Sequence, residues 1–164
     1  MRFSKRLVLI CIVLIFCVGC DQATKSIAVS KLSEMKTYSY LGDTFRLQLT
    51  YNRGAFLGLG HLLPDFWRYS IFTVGICFIL LGALAFALLS SSGTFLLVLA
   101  VSLFVAGGVG NLIDRIARDG FVVDFLNLGI GPLRTGIFNV ADVVITGGSI
   151  LLLFLTFRKQ RINH

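Results

Sequence analysis

The chain has 164 residues, of which 56% are hydrophobic and only 14% are charged. Together with a mean hydropathy of +0.88, this composition lies outside the range of ordinary soluble domains and predicts an integral membrane protein. The net charge of +7 does not indicate nucleic-acid binding, because the basic residues form short clusters beside apolar runs and lack interleaved aromatic residues.

Four apolar segments follow one another along the chain, and each approaches the roughly 20 residues that a helix needs to cross about 30 Å of hydrocarbon. We expect spans at about 7–29, 67–89, 94–113 and 138–157 within a single membrane domain, 1–164. Basic residues precede the first span and follow the last, which predicts that both ends lie in the cytoplasm. The predicted fold class is an all-α polytopic membrane protein with four transmembrane helices.

The first span also has features of a secretory signal, since basic residues precede an apolar core that ends in Val18-Gly19-Cys20. A lipidation and cleavage site of this kind usually has Leu where Cys17 stands, and three further apolar segments follow. We therefore interpret this segment as a retained helix that extends to about Val29.

The segments 30–66 and 116–137 connect spans on the outside, and we expect them to form a small extracytoplasmic cap that contains β-structure. Residues 44–51 alternate apolar and polar side chains, which predicts a strand. Asp119-Gly120 is a turn signal that opens a second candidate strand, 121–126. Trp67 and Tyr69 predict a short amphipathic segment at the membrane interface, and residues 90–93 allow only a tight turn.

The chain has only eight acidic residues, and four of them lie at the ends of spans or among apolar neighbours: Asp21, Asp114, Asp124 and Asp142. Burying a carboxylate is unfavourable, so each of these acids needs a structural or a catalytic explanation. If the topology is right, all four gather at one depth near the external surface. Asp21 can pair with Lys25, because the two lie four residues apart on a helix.

Asn111, Asp114 and Arg115 end the third span and share one helix face through their spacing. They can hold helices together or belong to a site. Asp124 and Asp142 are harder to explain as structural residues, because apolar side chains flank both of them.

Two carboxylates that meet at the edge of a low-dielectric region cannot both ionise easily, so they share one proton. In an aspartic peptidase the ionised member takes a proton from water and the protonated member polarises the scissile carbonyl. The residues alone leave open whether Asp114 or Asp124 is the partner of Asp142.

Other peptidase chemistries lack necessary parts in this sequence. There is no H-E-x-x-H pattern for zinc and no histidine within a span. Lys25 and Ser26 are adjacent on a helix and diverge by about 100 degrees. Cys17 and Cys20 have no second pair of metal ligands. We therefore expect neither a metal nor a cofactor.

Five ordered blocks resemble those of a known family. They are DQATK (21–25), NRGAF (52–56), GNLIDR (110–115), VVDF (122–125) and FNVAD (138–142). Together they resemble bacterial lipoprotein signal peptidase, also called signal peptidase II, a family of membrane aspartic endopeptidases. The second block departs from the usual N-x-G-A-A followed by an aromatic residue, because Phe56 comes one position early.

The resemblance implies that Asp124 and Asp142 are the catalytic pair. It also implies a set of substrate-binding or supporting residues: Asp21, Lys25, Asn52, Gly54, Gly110, Asn111, Asp114, Arg115, Asn139 and Ala141. The implied reaction is removal of the signal peptide from a prolipoprotein, immediately before a cysteine that already carries diacylglycerol.

The resemblance further implies a multi-pass protein of the bacterial inner membrane with its active site near the extracytoplasmic face. Its partners would be lipid-modified prolipoproteins and membrane lipid, and we expect a monomer.

Two alternatives use the same acids differently: a small transporter, whose acids should be distributed across the membrane, and a scaffold subunit, whose acids only join helices.

Overall fold

The computed structural model describes residues 1–53, 62–90 and 93–162, and within these residues four long apolar helices stand beside a small antiparallel sheet. The helical elements are α1 (Phe3–Lys31), α2 (Asp65–Tyr69), α3 (Ile76–Leu89), α4 (Phe95–Ala117) and α5 (Val140–Ile162). A π-helical stretch, Ser70–Gly75, joins α2 to α3, so that these elements form one continuous helix. The predicted fold class is confirmed.

The helices are longer than the apolar segments from which they were predicted. α1 begins at Phe3 and continues to Lys31, and α4 ends at Ala117. Their additional turns contain polar side chains, which a search for apolar runs leaves out. Among the polar side chains of these turns, Arg6, Asp114 and Arg115 are buried.

The described residues form a four-stranded antiparallel sheet in the order β1-β2-β3-β4. The strands are β1 (Tyr38–Tyr40), β2 (Phe45–Asn52), β3 (Val122–Ile130) and β4 (Leu133–Arg134). The strands predicted at 44–51 and 121–126 correspond to β2 and to the first part of β3. The short strands β1 and β4 were not predicted, since alternation cannot be recognised over two or three residues.

The predicted turn at Asp119-Gly120 is confirmed, and it ends α4. Both residues have positive φ, 51° for Asp119 and 89° for Gly120. The Gly120 backbone N–H donates to the carbonyl of Arg115 at 2.8 Å, which is the longer bond of a Schellman motif. This turn directs the chain from the end of α4 into β3.

α4 is the central helix of the bundle. Of the most apolar 18-residue stretch of α4, 56% is buried inside the protein, whereas the corresponding stretches of the other candidate spans are 11–17% buried. Glycines allow α5 to pack closely against it: a Cβ atom on Gly148 would lie 2.7 Å from the backbone nitrogen of Phe104 and 2.8 Å from the carbonyl oxygen of Ala100. Small residues at such contacts let helix backbones approach in a membrane.

At the opposite end of the bundle from the sheet, Arg6 joins the start of α1 to the end of α3. Its guanidinium donates to the carbonyl oxygen of Leu88 at 3.1 Å and also to that of Ser90. The side chain is buried, although the sequence predicted a flanking charge that sets topology. A cation at this position compensates the negative end of the α3 dipole.

We expect Gly148→Ala to lower the free energy of unfolding by about 1–3 kcal/mol, because the added methyl group overpacks the contact between α4 and α5. Gly147→Ala is the matched control, since no described atom lies within 4 Å of a Cβ built there. Thermal unfolding of both variants in detergent measures the difference. Equal stability of the two variants would contradict the close packing.

Candidate active site

A backbone bridge brings the start of α5 next to β3. Leu126 and Phe138 form an antiparallel bridge, and the carbonyl oxygen of Phe138 accepts the N–H groups of Phe125 and Leu126 at 3.0 and 2.8 Å. Asn139, the residue after Phe138, immediately precedes α5, so the first turn of α5 lies beside Asp124.

Asn139 and Asp142 cap the start of α5 reciprocally. The Asn139 side-chain oxygen accepts the backbone N–H of Asp142 at 3.0 Å, and the Asp142 carboxylate accepts the backbone N–H of Asn139 at 3.1 Å. This is the geometry of a capping box, with Asn and Asp in place of the usual residues. The positive end of the helix dipole also stabilises a carboxylate here, which explains why Asp142 is tolerated at the start of an apolar helix.

Asn139 connects the two predicted catalytic acids through its side chain and its backbone. While its oxygen caps α5, its Nδ2 donates to the Asp124 carboxylate at 2.7 Å. The other oxygen of Asp124 accepts from Asn52 Nδ2 at 2.9 Å. A register shift between Leu47 and Thr50 of β2 places Thr50 opposite Asp124, so Asn52 lies diagonally across the same face of the sheet.

Asn111 orients Asp142 from α4. Its Nδ2 donates to the second oxygen of Asp142 at 2.9 Å, and its side-chain oxygen accepts from Lys25 Nζ and from Asn139 Nδ2, both at 3.0 Å. An ammonium group has only donors, so Lys25 determines which side of the amide faces it. The amide nitrogen therefore points to Asp142.

Lys25 lies between two carboxylates in the interior of the protein. Its Nζ is 2.8 Å from Asp21 and 3.0 Å from Asp114, and each of these three side chains is 1% exposed. The remaining oxygen of Asp21 accepts the backbone N–H of Ala141 at 2.8 Å, and Asp114 accepts the backbone N–H of Val123 at 3.0 Å. We call Lys25, Asp21 and Asp114 the buried ionic hub.

The hub holds the backbone directly next to both candidate catalytic acids, because Ala141 precedes Asp142 and Val123 precedes Asp124. Gly110 is necessary for this arrangement: a Cβ there would lie 2.6 Å from the Asp21 carboxylate and 3.2 Å from the Cβ of Ala141. Asp21 and Asp114 thus act on the site through the backbone, which is a positioning role.

A cavity of about 670 Å³ opens beside the two acids and is lined by Asp124, Asp142, Asn52, Asn111 and Arg115. Part of its wall follows one face of α5, through Val143, Thr146, Gly147 and Ile150. The cavity therefore combines a polar end at the acids with an apolar wall along a candidate membrane span. Such a shape suits a ligand with a polar reacting group and an apolar body.

The predicted site residues are brought together, apart from Gly54, which lies outside the described residues. Lys25 is buried while the neighbouring Ser26 is exposed, which excludes a catalytic pair of these two residues. Within the described ranges there is no cluster of three or more potential metal ligands. Asp114 accepts from Lys25 Nζ and from the backbone N–H of Val123, both at 3.0 Å.

The site also contains two residues that the predicted set lacks. Gln22 Nε2 donates to Asp21 at 3.2 Å and to the carbonyl of Gly110 at 3.0 Å, so it braces the hub. Arg134 on β4 lines the large cavity and donates to Asn127 at 2.6 Å. Gln22 could have been found from its place within DQATK, whereas no local pattern indicates Arg134.

Burial raises the pKa of the Asp124 carboxyl to about 7, and the nearby Asp142 also raises it. The hydrogen bonds from Asn52 and Asn139 oppose this shift. Asp124 is 2% exposed, so desolvation outweighs the hydrogen bonds. A carboxyl group with this pKa is available as a proton donor near neutral pH.

Four apolar helices with an enclosed pair of carboxylates at one end define a polytopic membrane protein with an enzyme-like site. Residues 12–158 match the model of the family described as signal peptidase (SPase) II. The lipoprotein signal peptidase of Streptococcus pneumoniae (strain ATCC BAA-255 / R6) is 32% identical over 97% of this chain and 98% of that protein. That of Burkholderia ambifaria (strain MC40-6) is 34% identical over 81% of each chain.

A solved bacterial membrane enzyme has a similar fold, with a TM-score of 0.78 and 27% identity over 96% of this chain and 90% of that one. A second such structure has a TM-score of 0.74, also at 27% identity, over 93% of this chain and 92% of that one. The chain belongs to the signal peptidase II family. It is thus a peptidase and a multi-pass protein of the bacterial inner membrane.

We expect Lys25→Met to lower the free energy of unfolding by about 3–5 kcal/mol, since it leaves the hub carboxylates buried without their cation. Arg46→Met is the control, because Arg46 also pairs with an aspartate, Asp43, but at the surface, where an ion pair contributes little. Denaturant titrations in detergent measure both variants. The hub would be disproved as a stabilising element if the two variants unfolded alike.

The pH dependence of stability should report Asp124. Because its pKa is raised in the folded state, the unfolded chain releases this proton at about pH 4 and the folded protein retains it to about pH 7. The contribution of Asp124 to stability is therefore present below about pH 4 and is lost as the pH rises to about 7. Asp124→Asn should flatten this part of the profile, and Glu34→Gln, at an exposed acid, should not.

Unfolding is measured for the three proteins between about pH 4 and pH 8. Parallel profiles for wild type and Asp124→Asn would show that Asp124 does not titrate in this range.

Proposed function

We propose that this member of the family is an aspartic endopeptidase that removes signal peptides from diacylglyceryl-modified prolipoproteins, cleaving immediately before the lipidated cysteine. The observation that supports it best is the shared environment of Asp124 and Asp142. Asn139 contacts both carboxylates, Asp124 through its side-chain Nδ2 and Asp142 through its backbone N–H, and both acids line the same cavity. A structural pair of carboxylates would not need to face an open cavity.

In the proposed resting state the two acids hold one proton, which lies on Asp124. Asp142 is the ionised member, because two N–H donors and the start of a helix stabilise its negative charge. Asp142 takes a proton from a water molecule, whose oxygen attacks the scissile carbonyl carbon. The Asp124 proton moves toward the carbonyl oxygen and stabilises the tetrahedral intermediate.

The intermediate collapses when the carbon–nitrogen bond breaks. The leaving amine of the cysteine receives the proton that Asp142 took from water, and the proton on the oxygen returns to Asp124. The pair regains its resting state with one shared proton, as a catalyst must.

Arg115, Asn52 and Asn111 are the proposed binding groups for the substrate backbone, since all three line the cavity beside the acids. The Arg115 guanidinium acts electrostatically on both Asp142 and Asp124. The α5 face from Val143 to Ile150 is the proposed path for the acyl chains of the substrate, because it is apolar and belongs to a candidate span.

We propose one membrane domain, 1–164, with spans at about 7–29, 67–89, 94–113 and 138–157 and a cap at 30–66 and 116–137. Both ends lie in the cytoplasm, which follows from the terminal basic residues, and the active site lies on the extracytoplasmic side. The proposed enzyme acts as a monomer, because side chains of a single chain complete the described site.

The distribution of the acids opposes the transporter alternative. Asp21, Asp114, Asp124 and Asp142 are joined through hydrogen bonds at one end of the bundle, and the α3 sequence contains no ionisable acid or base other than Cys77. A path for cations or protons needs polar groups along the depth of the membrane.

Asp124→Asn and Asp142→Asn should each lower the cleavage rate by about 10³-fold or more, because each removes one half of the acid–base pair. Glu34→Gln removes the same charge at an exposed position and should retain the wild-type rate. A gel-shift assay follows a diacylglyceryl-modified prolipoprotein with each folded protein in lipid.

Thermal unfolding establishes that the variants are folded. Full activity of either aspartate variant would disprove the catalytic pair. If one variant loses its fold together with its activity, substrate trapping is carried out with the variant that stays folded: a folded but inactive enzyme retains the lipidated substrate, whereas a scaffold does not.

A further inference from the structure

A second cavity, of about 370 Å³, is separate from the cavity that holds the proposed catalytic acids. Its walls come from α2, from the π-helical stretch and from the turn after α4. Arg115 lines both cavities. We call this second cavity the phosphate cavity and define it by four of its lining residues: Arg53, Arg68, Thr73 and Arg115.

Several buried polar atoms of this cavity lack hydrogen-bond partners within the part of the chain that the structure describes. Thr73 is 5% exposed and Arg115 is 7% exposed, and neither Thr73 Oγ1 nor Arg115 Nε has a hydrogen-bond partner among the described residues. The Nε of Arg68 is in the same condition. Buried polar groups in native proteins are normally satisfied, and exceptions indicate an unseen partner.

The hydroxyl of Thr73 differs from the hydroxyls of other helical threonines in this chain. Thr24, Thr146 and Thr156 donate to the carbonyl four residues earlier, at 2.8, 2.7 and 2.9 Å. Thr73 lies within the π-helical stretch, where the backbone is wound more widely and that carbonyl is displaced. Its hydroxyl proton is therefore available to a ligand in the cavity.

The charge of the cavity favours an anion. Its charged lining consists of three arginines and two aspartates, and Asp65, one of these aspartates, is 86% exposed and already pairs with Arg68. Arg53 stacks on the ring of Phe121 at 4.3 Å, which leaves its N–H edge available for hydrogen bonds. Guanidinium groups and a hydroxyl are the donors that bind phosphate oxygens.

The position of the cavity indicates which phosphate reaches it. α2 carries Phe66 and Trp67, which are 73% and 57% exposed, at the end of a candidate membrane span. Exposed aromatic residues at such an end lie at the level of lipid headgroups. Basic pockets between membrane helices are known to bind anionic lipid headgroups, and the lining of this cavity is of that kind.

We propose that the phosphate cavity binds the headgroup phosphate of an anionic phospholipid, which supplies the missing partners of Thr73, Arg68 and Arg115. Because Arg115 lines both cavities, a ligand there also contacts a residue of the proposed substrate site. This proposal does not depend on the peptidase mechanism, because it is tested by lipid binding.

The single tryptophan of the chain, Trp67, is adjacent to Arg68 and serves as the probe. The protein is reconstituted in phosphatidylcholine with increasing fractions of dibrominated phosphatidylglycerol or dibrominated phosphatidylcholine, and quenching of Trp67 gives the relative affinity. We expect wild type to prefer phosphatidylglycerol over phosphatidylcholine by about tenfold, because a single charge-assisted hydrogen bond contributes a difference in affinity of this size.

Arg68→Gln and Thr73→Val should each reduce this preference several-fold. Arg46→Gln, which removes an arginine elsewhere in the cap, should leave it unchanged. Thr73→Val preserves shape and charge, so it decides the outcome if Arg68→Gln does not fold. A wild type without preference, or a Thr73→Val variant with the full preference, overturns the proposal.

Two further outcomes assign the cavity to a different ligand. If inorganic phosphate removes the preference and raises the melting temperature in neutral detergent, the cavity binds free phosphate and the lipid assignment fails. If Arg68→Gln raises the KM for a prolipoprotein and leaves lipid preference intact, the cavity holds the substrate chain, and the lipid assignment also fails.

Discussion

One buried cation determines the geometry of the site. Lys25 on α1 binds Asp21 from its own helix and Asp114 from α4, and these carboxylates hold the backbone that precedes Asp142 and Asp124. Each aspartate of the proposed catalytic pair thus depends on the same ammonium group. Because hydrophobic residues of similar volume are often as stabilising as a buried ion pair, we attribute the retention of these charges to the positions they impose on the pair.

The proposed catalytic acids are held by different physical means. Asp142 lies at the positive end of a helix and accepts N–H groups on both of its oxygens, which favours its charge. Asp124 lies on a strand, where burial raises the pKa of its carboxyl to about 7. Asn139 contacts both carboxylates, so it fixes the position of one relative to the other. Their electrostatic environments nevertheless differ. This asymmetry lets one acid donate a proton while the other accepts one.

The parts that could be predicted from the sequence are those with a repeating local signal. Apolar length predicts the helices, alternation predicts β2 and part of β3, and spacing predicts the pairing of Asp21 with Lys25. The bridge at Phe138 could not be predicted, because it joins segments without a shared pattern. For the same reason the contact of Lys25 with Asp114 could not be predicted, since the two residues lie on different helices. The burial of Arg6 likewise depends on the position of α3.

The large cavity has one apolar wall that runs along α5 from Val143 to Ile150, on a helix that can cross the membrane. A ligand that enters along this wall comes from the lipid phase, so its partition coefficient between water and bilayer sets the concentration that the site experiences. An apparent affinity measured in detergent then varies with the volume of micelles present. Inhibitors of this site are therefore best compared by their mole fraction in the lipid. An affinity based on the total aqueous concentration would depend both on how strongly the inhibitor partitions into lipid and on how tightly it binds the site.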